Sequence, residues 1–478
     1  MLLTFVDNDD IHNVWGDTRI TASTLQHLRD CQDPGFTITF TEPQADGSYS
    51  VFGYKCGKAT HWKLFRAETA DGEHFDNVRV VIDSERDKLP LGEGHHWQHV
   101  ATVSYSPELG RYLCLKNVGI GFDDPDDGIP KQEFATYALT SSDGESWQAY
   151  DHNPVYHEGD RWGATWSSVA QRFISYNKGW LRNDHKRVNE LVLDGIRTCC
   201  IRSSPDGFEW TPDLPNHYKH GLKVVDGMRT IGGPLVPPEH HISPDEQDPP
   251  DLEFYAGAPF EYGGSFFLSS LNYAGSYLPN GVPPMRPDGH GPGTLDQEWW
   301  LSKDGLHWER CFRGVEAGAY VAHNPMVIGG LMMFRKPTEL LGLPENRMTY
   351  VTTRANGVFE TRTFEMPGAP LALNCRQPGS GFSNDLNEAY IMAELVDGTD
   401  RVVPGYEKEK CILQGPIDLT DQPLSWSEDD GGTGGGRSRR DGAELEGQPL
   451  RLRFYFRCAD IFSVSASTAG RPAAGQAA

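Results

Sequence analysis

The chain has 478 residues, room for two domains, and its 38% hydrophobic and 11% aromatic content can bury a sizeable core. A formal net charge of −24 withholds the basic surface that nucleic acids and anionic membranes require, so neither is expected as a partner. The segment from Met1 to Asp7 lacks a basic stretch and a long apolar run, and nine scattered cysteines include an adjacent pair, Cys199 and Cys200, but no C-x-x-C. These features predict a cytoplasmic protein with free thiols and no cofactor, and leave a structural metal open.

In chain order, one short pattern recurs. A small polar residue and Asp-Gly are followed, three positions after the Gly, by an aromatic residue. It stands as Thr69-Ala70-Asp71-Gly72-Glu73-His74-Phe75, as Ser141-Ser142-Asp143-Gly144-Glu145-Ser146-Trp147, as Ser203-Ser204-Pro205-Asp206-Gly207-Phe208-Glu209-Trp210 and as Ser302-Lys303-Asp304-Gly305-Leu306-His307-Trp308. A degenerate fifth copy is Thr353-Arg354-Ala355-Asn356-Gly357-Val358-Phe359, with its aromatic one position early. Asp and Asn tolerate the left-handed region and Gly enters it freely, so Asp-Gly marks a tight turn. Strand-like runs such as 62–67, 134–139 and 299–301 precede the copies, and the trailing aromatic can fold back on the sheet. Each copy therefore reads as the turn between the last two strands of a four-stranded blade.

The resulting expectation is an all-β chain: a five-bladed β-propeller over residues 1–368 and a C-terminal β-sandwich-like domain over 369–466. The second region is expected from alternating runs at 371–374, 388–395 and 450–456. Within it, 427–442 is rich in Gly, Asp and Arg and reads as a flexible loop, and 467–478 as a disordered tail. The longest gap between turns, from Asp206 to Asp304, holds Pro-Pro pairs and a Gly-rich stretch, the composition of long functional loops.

Recurring S-x-D-G-x-x-W turns resemble the five-bladed propeller superfamily of glycoside hydrolases, with its invertase-like and arabinanase-like members, and are similar to a shortened sialidase Asp-box. Residues 5–11 (Phe-Val-Asp-Asn-Asp-Asp-Ile) and 447–454 (Gly-Gln-Pro-Leu-Arg-Leu-Arg-Phe) resemble bacterial glycosidase-like proteins with a C-terminal β-sandwich. The resemblance implies a carbohydrate substrate and a pair of carboxylates at the central channel. The invertase-like stretches Asn-Asp-Pro-Asn-Gly, Arg-Asp-Pro and Glu-Cys-Pro are absent, so no acid triad carries over.

Glycoside hydrolysis needs one protonated and one ionised carboxyl across the sugar. Glu298, in Asp296-Gln297-Glu298-Trp299-Trp300, and Glu253, in Asp251-Leu252-Glu253-Phe254-Tyr255, adjoin aromatics and are the first candidates, expected in one pocket; Asp10 is third, then Glu133 and Asp184. His96 and His99 flanking Trp97, His323 before Asn324-Pro325, and Arg182 are candidate substrate contacts, because sugars stack on Trp and meet His or Arg through hydroxyls. Asp123-Asp124-Pro125-Asp126-Asp127-Gly128 lacks the spacing and distal Glu of a calcium loop. Three functions stay open: hydrolase first, then a polysaccharide lyase with a His or Tyr base, then a non-catalytic sugar-binding or scaffold propeller. Self-association into a homo-oligomer is compatible with each.

Overall fold

The structure is a computed structural model. It describes residues 1–56, 61–87, 95–123, 130–156, 161–182, 187–188, 191–192, 195–212, 222–225, 228–231, 241–242, 244–248, 252–274, 294–377, 389–428 and 439–466. The chain divides into two compact units, one made of Met1–Ser23 with Leu343–Ala478 and the other of Thr24–Gly342.

The second unit is the five-bladed β-propeller. Its first blade is Thr37–Pro43, Tyr49–Cys56, Trp62–Thr69 and Asp76–Asp83; its second is His95–Ser106, Arg111–Asp123, Pro130–Ser141 and Gln148–Ala149. The third blade is Arg161–Ser167, Arg172–Arg182, Gly195–Ser204 and His241–Ile242. In the fourth, Glu253–Ala256 and Phe260–Tyr262 both pair with Ser265–Ala274, which pairs with Thr294–Ser302. The fifth joins Met326–Ile328, Leu331–Arg335 and Glu339–Pro344 to Gln26–Asp30, so a strand from near the start of the chain completes the ring. From the fifth blade through the first, second and third to the fourth, the first strands of neighbouring blades touch one another.

Four Asp-Gly turns follow the third strands of the first four blades, and they are built alike. The Ser or Thr hydroxyl accepts the glycine N–H: Thr69 from Gly72 at 2.9 Å, and Ser141, Ser204 and Ser302 from Gly144, Gly207 and Gly305 at 2.8 Å. One oxygen of each Asp accepts the next two backbone N–H groups, as Asp143 does from Glu145 and Ser146. The indoles of Trp147, Trp210 and Trp308 donate back to the glycine carbonyls at 3.0–3.1 Å. Glycine is required twice over. All four have φ between 72° and 88°, and an added Cβ at Gly144, Gly207 or Gly305 would sit 2.8–2.9 Å from Phe52, Leu113 or Ile174 of the preceding blade. The preceding blade also donates to the turn: Arg66 and Ser167 reach the carbonyls of Asp143 and Asp304 at 2.7 and 2.8 Å, and Arg111 reaches that of Asp206. Gly72 of the first blade packs on Met326 and Met333 of the fifth.

Two expectations are corrected. Thr353–Phe359 forms no fifth turn: it lies inside the strand Thr349–Thr361 of the other unit, at a register shift between Thr353 and Asn356. The fifth blade has no hairpin between its third and fourth strands, because Gln26–Asp30 arrives from the far end of the sequence, so it needs no such turn. The propeller spans 24–342 rather than 1–368, because 1–23 supplies strands to the C-terminal sheet.

That sheet has ten strands centred on Pro449–Ala466. Cys458, at φ 48°, sits where the register shifts and divides this strand. Residues 451–457 pair with Tyr390–Val396 and 460–466 with Leu371–Gln377. A core of Phe359, Phe454, Phe456, Trp426 and Ile461 is fully buried. The acidic run at 7–10 caps a short 3-10 turn, in which Asp7 accepts from the backbone of Asp9 and Asp10 from that of Val6.

Trp210 is 7% exposed against Tyr156, Phe173 and Leu113. Trp210→Ala should cost about 3–5 kcal/mol, as for other large core aromatics; a loss under about 1 kcal/mol in denaturant melts would contradict the structural role. Asp143 is held down at about 2 by the N–H groups of Ser146 and Glu145 and the Ser141 hydroxyl. For Asp71, Asp206 and Asp304, burial pushes up, but the bonds they accept outweigh it and hold them low as well. Such carboxyls resist protonation only when folded, so their stabilisation is present above about pH 4 and fades as pH falls towards about 2. Melting temperatures from pH 6 to pH 2 should drop over that window, and less steeply in Asp143→Asn.

Candidate functional site

Strands alternate in direction within each blade, so the starts of the five inner strands share one end of the propeller. The second-to-third connections, 57–61, 124–129, 183–194, 275–293 and 336–338, join strands at that same end, and the Asp-Gly turns occupy the other. This mouth gathers the heads of the strands His95–Ser106, Arg161–Ser167 and Glu253–Ala256.

Five acids are buried among the described residues: Asp10, Glu253, Glu298, Glu360 and Glu394. Only Glu253 and Glu298 belong to the propeller, and only Glu253 lies on an inner strand, where it is the first residue and 0% exposed.

Glu298 occupies the middle of the third strand of the same blade. Its Oε2 accepts from Asn272 at 3.0 Å and from Arg310 Nη2 and Nε at 2.7 and 3.1 Å, while Oε1 meets no hydrogen-bond donor. Arg310 also donates to Asp248 at 2.6 Å, and its guanidinium lies 5.2 and 5.3 Å from the ring centres of Phe254 and Trp300. Arg313 continues the array to Asp248 and Asp245. Burial alone would raise Asp248, but Arg310 and Arg313 hold it below the usual carboxylate range. Glu298 is thus held in a buried ion pair with Arg310, and one of its two oxygens is taken up by that pair and by Asn272.

The expected single pocket for Glu253 and Glu298 is also corrected by register. Phe254 pairs with Asn272, and Asn272 shares a face with Glu298 through their hydrogen bond. Glu253 precedes Phe254, so it projects from the opposite face of the blade. Asp10 lies in the other unit, where it caps the 3-10 turn and stands 3.7 Å from Arg362. His323 is buried in the fifth blade. Its Nδ1 lies 2.6 Å from the Asn324 carbonyl and Nε2 meets the Arg335 backbone, while burial lowers its pKa; it is a neutral packing group.

The backbones of His96, Trp97 and His99 lie in the inner strand of the second blade, and that of Arg182 ends the second strand of the third. Their side chains, that of Glu133 and all of Asp184 lie outside the described residues. Sequence reasoning missed the Glu298–Arg310–Asp248 array. Its members stand 12 and 62 residues apart, and no local pattern links them.

No family model and no curated protein matches the chain. Among solved structures, it is similar to a protein of unknown function from Dyadobacter fermentans, at 11% identity and TM-score 0.35, covering 72% of this chain and 96% of that one. It is similar to a Bombyx mori GH32 beta-fructofuranosidase at 10% identity and TM-score 0.32, covering 92% of this chain and 93% of the other. A GH93 alpha-L-arabinofuranosidase of Fusarium graminearum gives 11% identity and TM-score 0.31, covering 72% of this chain and 82% of the other.

Removing Arg310 would leave two buried carboxylates facing each other. Arg310→Met should therefore lower stability by about 3–5 kcal/mol. Denaturant melts check this, and a change below about 1 kcal/mol would show the array to be incidental.

Proposed function

We propose that this protein is a glycoside hydrolase acting at the mouth where the inner strands begin, with Glu253 as one of its two carboxylates. The observation that carries the reading is the place of Glu253: a wholly buried acid heading an inner strand, at the end of the propeller opposite the Asp-Gly turns. Rigid strands hold such a group still, and long loops can close over a sugar. In this reading one carboxyl gives its proton to the glycosidic oxygen as the C–O bond breaks, and the other activates water or attacks the anomeric carbon. Glu133, in a strand starting at the same end, and Asp184, which the sequence places between Arg182 and Arg187, are the candidates for the second acid. His96, His99 and Arg182 would meet hydroxyls, and Trp97 would stack on the sugar.

The ion pairing of Glu298 favours one second reading: a propeller that binds glycans without cleaving them, since among the described residues it takes away the other buried acid of the same blade.

Glu253→Gln separates the two. Assayed for new reducing ends on a glycan panel, it should keep its fold and glycan binding while turnover drops at least about a hundredfold, the scale of lost acid–base catalysis. Unchanged turnover in the variant removes Glu253 from the chemistry. Binding with no cleavage by the wild type supports the second reading, and an absorbance rise at the alkene band with uronate polymers indicates a lyase.

A further inference from the structure

The four Asp-Gly turns differ at the residue after the glycine, and in three of them that residue is clamped by an arginine of the preceding blade. Glu73 meets Arg29 at 2.9 Å. Glu145 takes Arg66 at 2.8 Å and Arg79 at 2.9 Å. Phe208 stacks on Tyr150 at 4.3 Å and lies under Arg111, 5.1 Å from its guanidinium.

The fourth turn breaks the pattern. The corresponding residue is Leu306, which offers neither a carboxylate nor an aromatic face. Arg172, which opens the second strand of the third blade as Arg111 opens that of the second, turns back on its own blade to the Ala170 carbonyl and the Ser203 hydroxyl, both at 3.2 Å. Among the described residues no carboxylate pairs with it. Between the two blades lies a cavity of about 360 Å³ lined by Arg172, Ile201, Ser203, Pro212, Leu306 and His307.

We propose that this cavity, between the third and fourth blades at the Asp-Gly end of the propeller, binds a small anion with an aromatic or apolar body and a single carboxylate. Such a ligand combines what fills the other three junctions: a flat or apolar body against the turn and a negative charge on the arginine. Ile201, Pro212 and Leu306 supply the apolar wall, and Arg172 supplies the planar fork that matches a carboxylate. The volume sits at the small end of the range for ligand sites. The site is at the opposite end from Glu253 and does not depend on the hydrolase reading.

Benzoate is the probe, with benzamide as its neutral counterpart and acetate as the anion without a body, titrated calorimetrically into the full chain. Benzoate should bind saturably and at least about tenfold more tightly than either control, the scale of one charge-assisted contact. Leu306→Glu, which places in the fourth turn the carboxylate found in the first two, should weaken benzoate at least about tenfold. Leu306→Phe, which copies the third turn, should do so by filling the space, and it serves if the first variant fails to fold. Arg172→Met should bring benzoate and benzamide to equal affinity. Benzoate binding that does not saturate, or that none of these substitutions moves, overturns the proposal.

Discussion

The propeller depends on one contact, made four times: a left-handed glycine pressed against the middle of the neighbouring blade. The contact works because the turn around it is rigid. A hydroxyl fixes the glycine N–H, an aspartate fixes the next two, and in three turns an indole closes over the glycine carbonyl. A side chain in place of the hydrogen would push into Phe52, Leu113 or Ile174 at distances no packed core accommodates. The motif therefore sets how one blade meets the next, as well as how its own strands turn. The junction of the fifth blade with the fourth has no such turn and relies on aromatic packing, with Phe260 and Phe334 5.0 Å apart.

This explains what could be read from the sequence. The Asp-Gly turns act within a few residues, so their spacing disclosed the four-stranded unit and the propeller directly. The Asn356-Gly357 near-match was misleading because it preserves the local pattern in a strand bulge, with no neighbouring blade to receive the glycine. Strand Gln26–Asp30 was illegible as a blade strand, since its partner Glu339–Pro344 lies some three hundred residues away and nothing in five residues names it. The same distance hid the boundary at Ser23. At the candidate site, the sequence marked Glu253 as an acid beside Phe254 at the start of a strand, and its complete burial came from the fold. The pairing of Glu298 with Arg310 depends on how the segment after the turn at Asp304 folds back across the strand, which composition does not express.

The two ends of the propeller divide their labour. One carries the turns that hold blades together; the other receives the second-to-third connections and the heads of the inner strands, among them Glu253. Charge follows the same logic of enclosure elsewhere. In the other unit Glu360 sits between Arg451 and Arg453, and Arg453 reaches on to Glu394, so buried acids in both units are neutralised by guanidinium groups.

The closing strand of the fifth blade has a consequence for how the molecule comes into being. Residues 26–30 leave the ribosome some three hundred residues before their partner, and the edge they complete is not made until residues 339–344 have followed. The smaller unit is interleaved in the same way, its first 23 residues waiting for strands beyond 349. Neither unit can finish until those later strands have been made. The early blades wait as an open arc with unpaired edges, a state in which pairing with another chain competes with closure. Once both ends have met their partners, no terminal strand can fray without opening a sheet that holds residues from the opposite end of the chain.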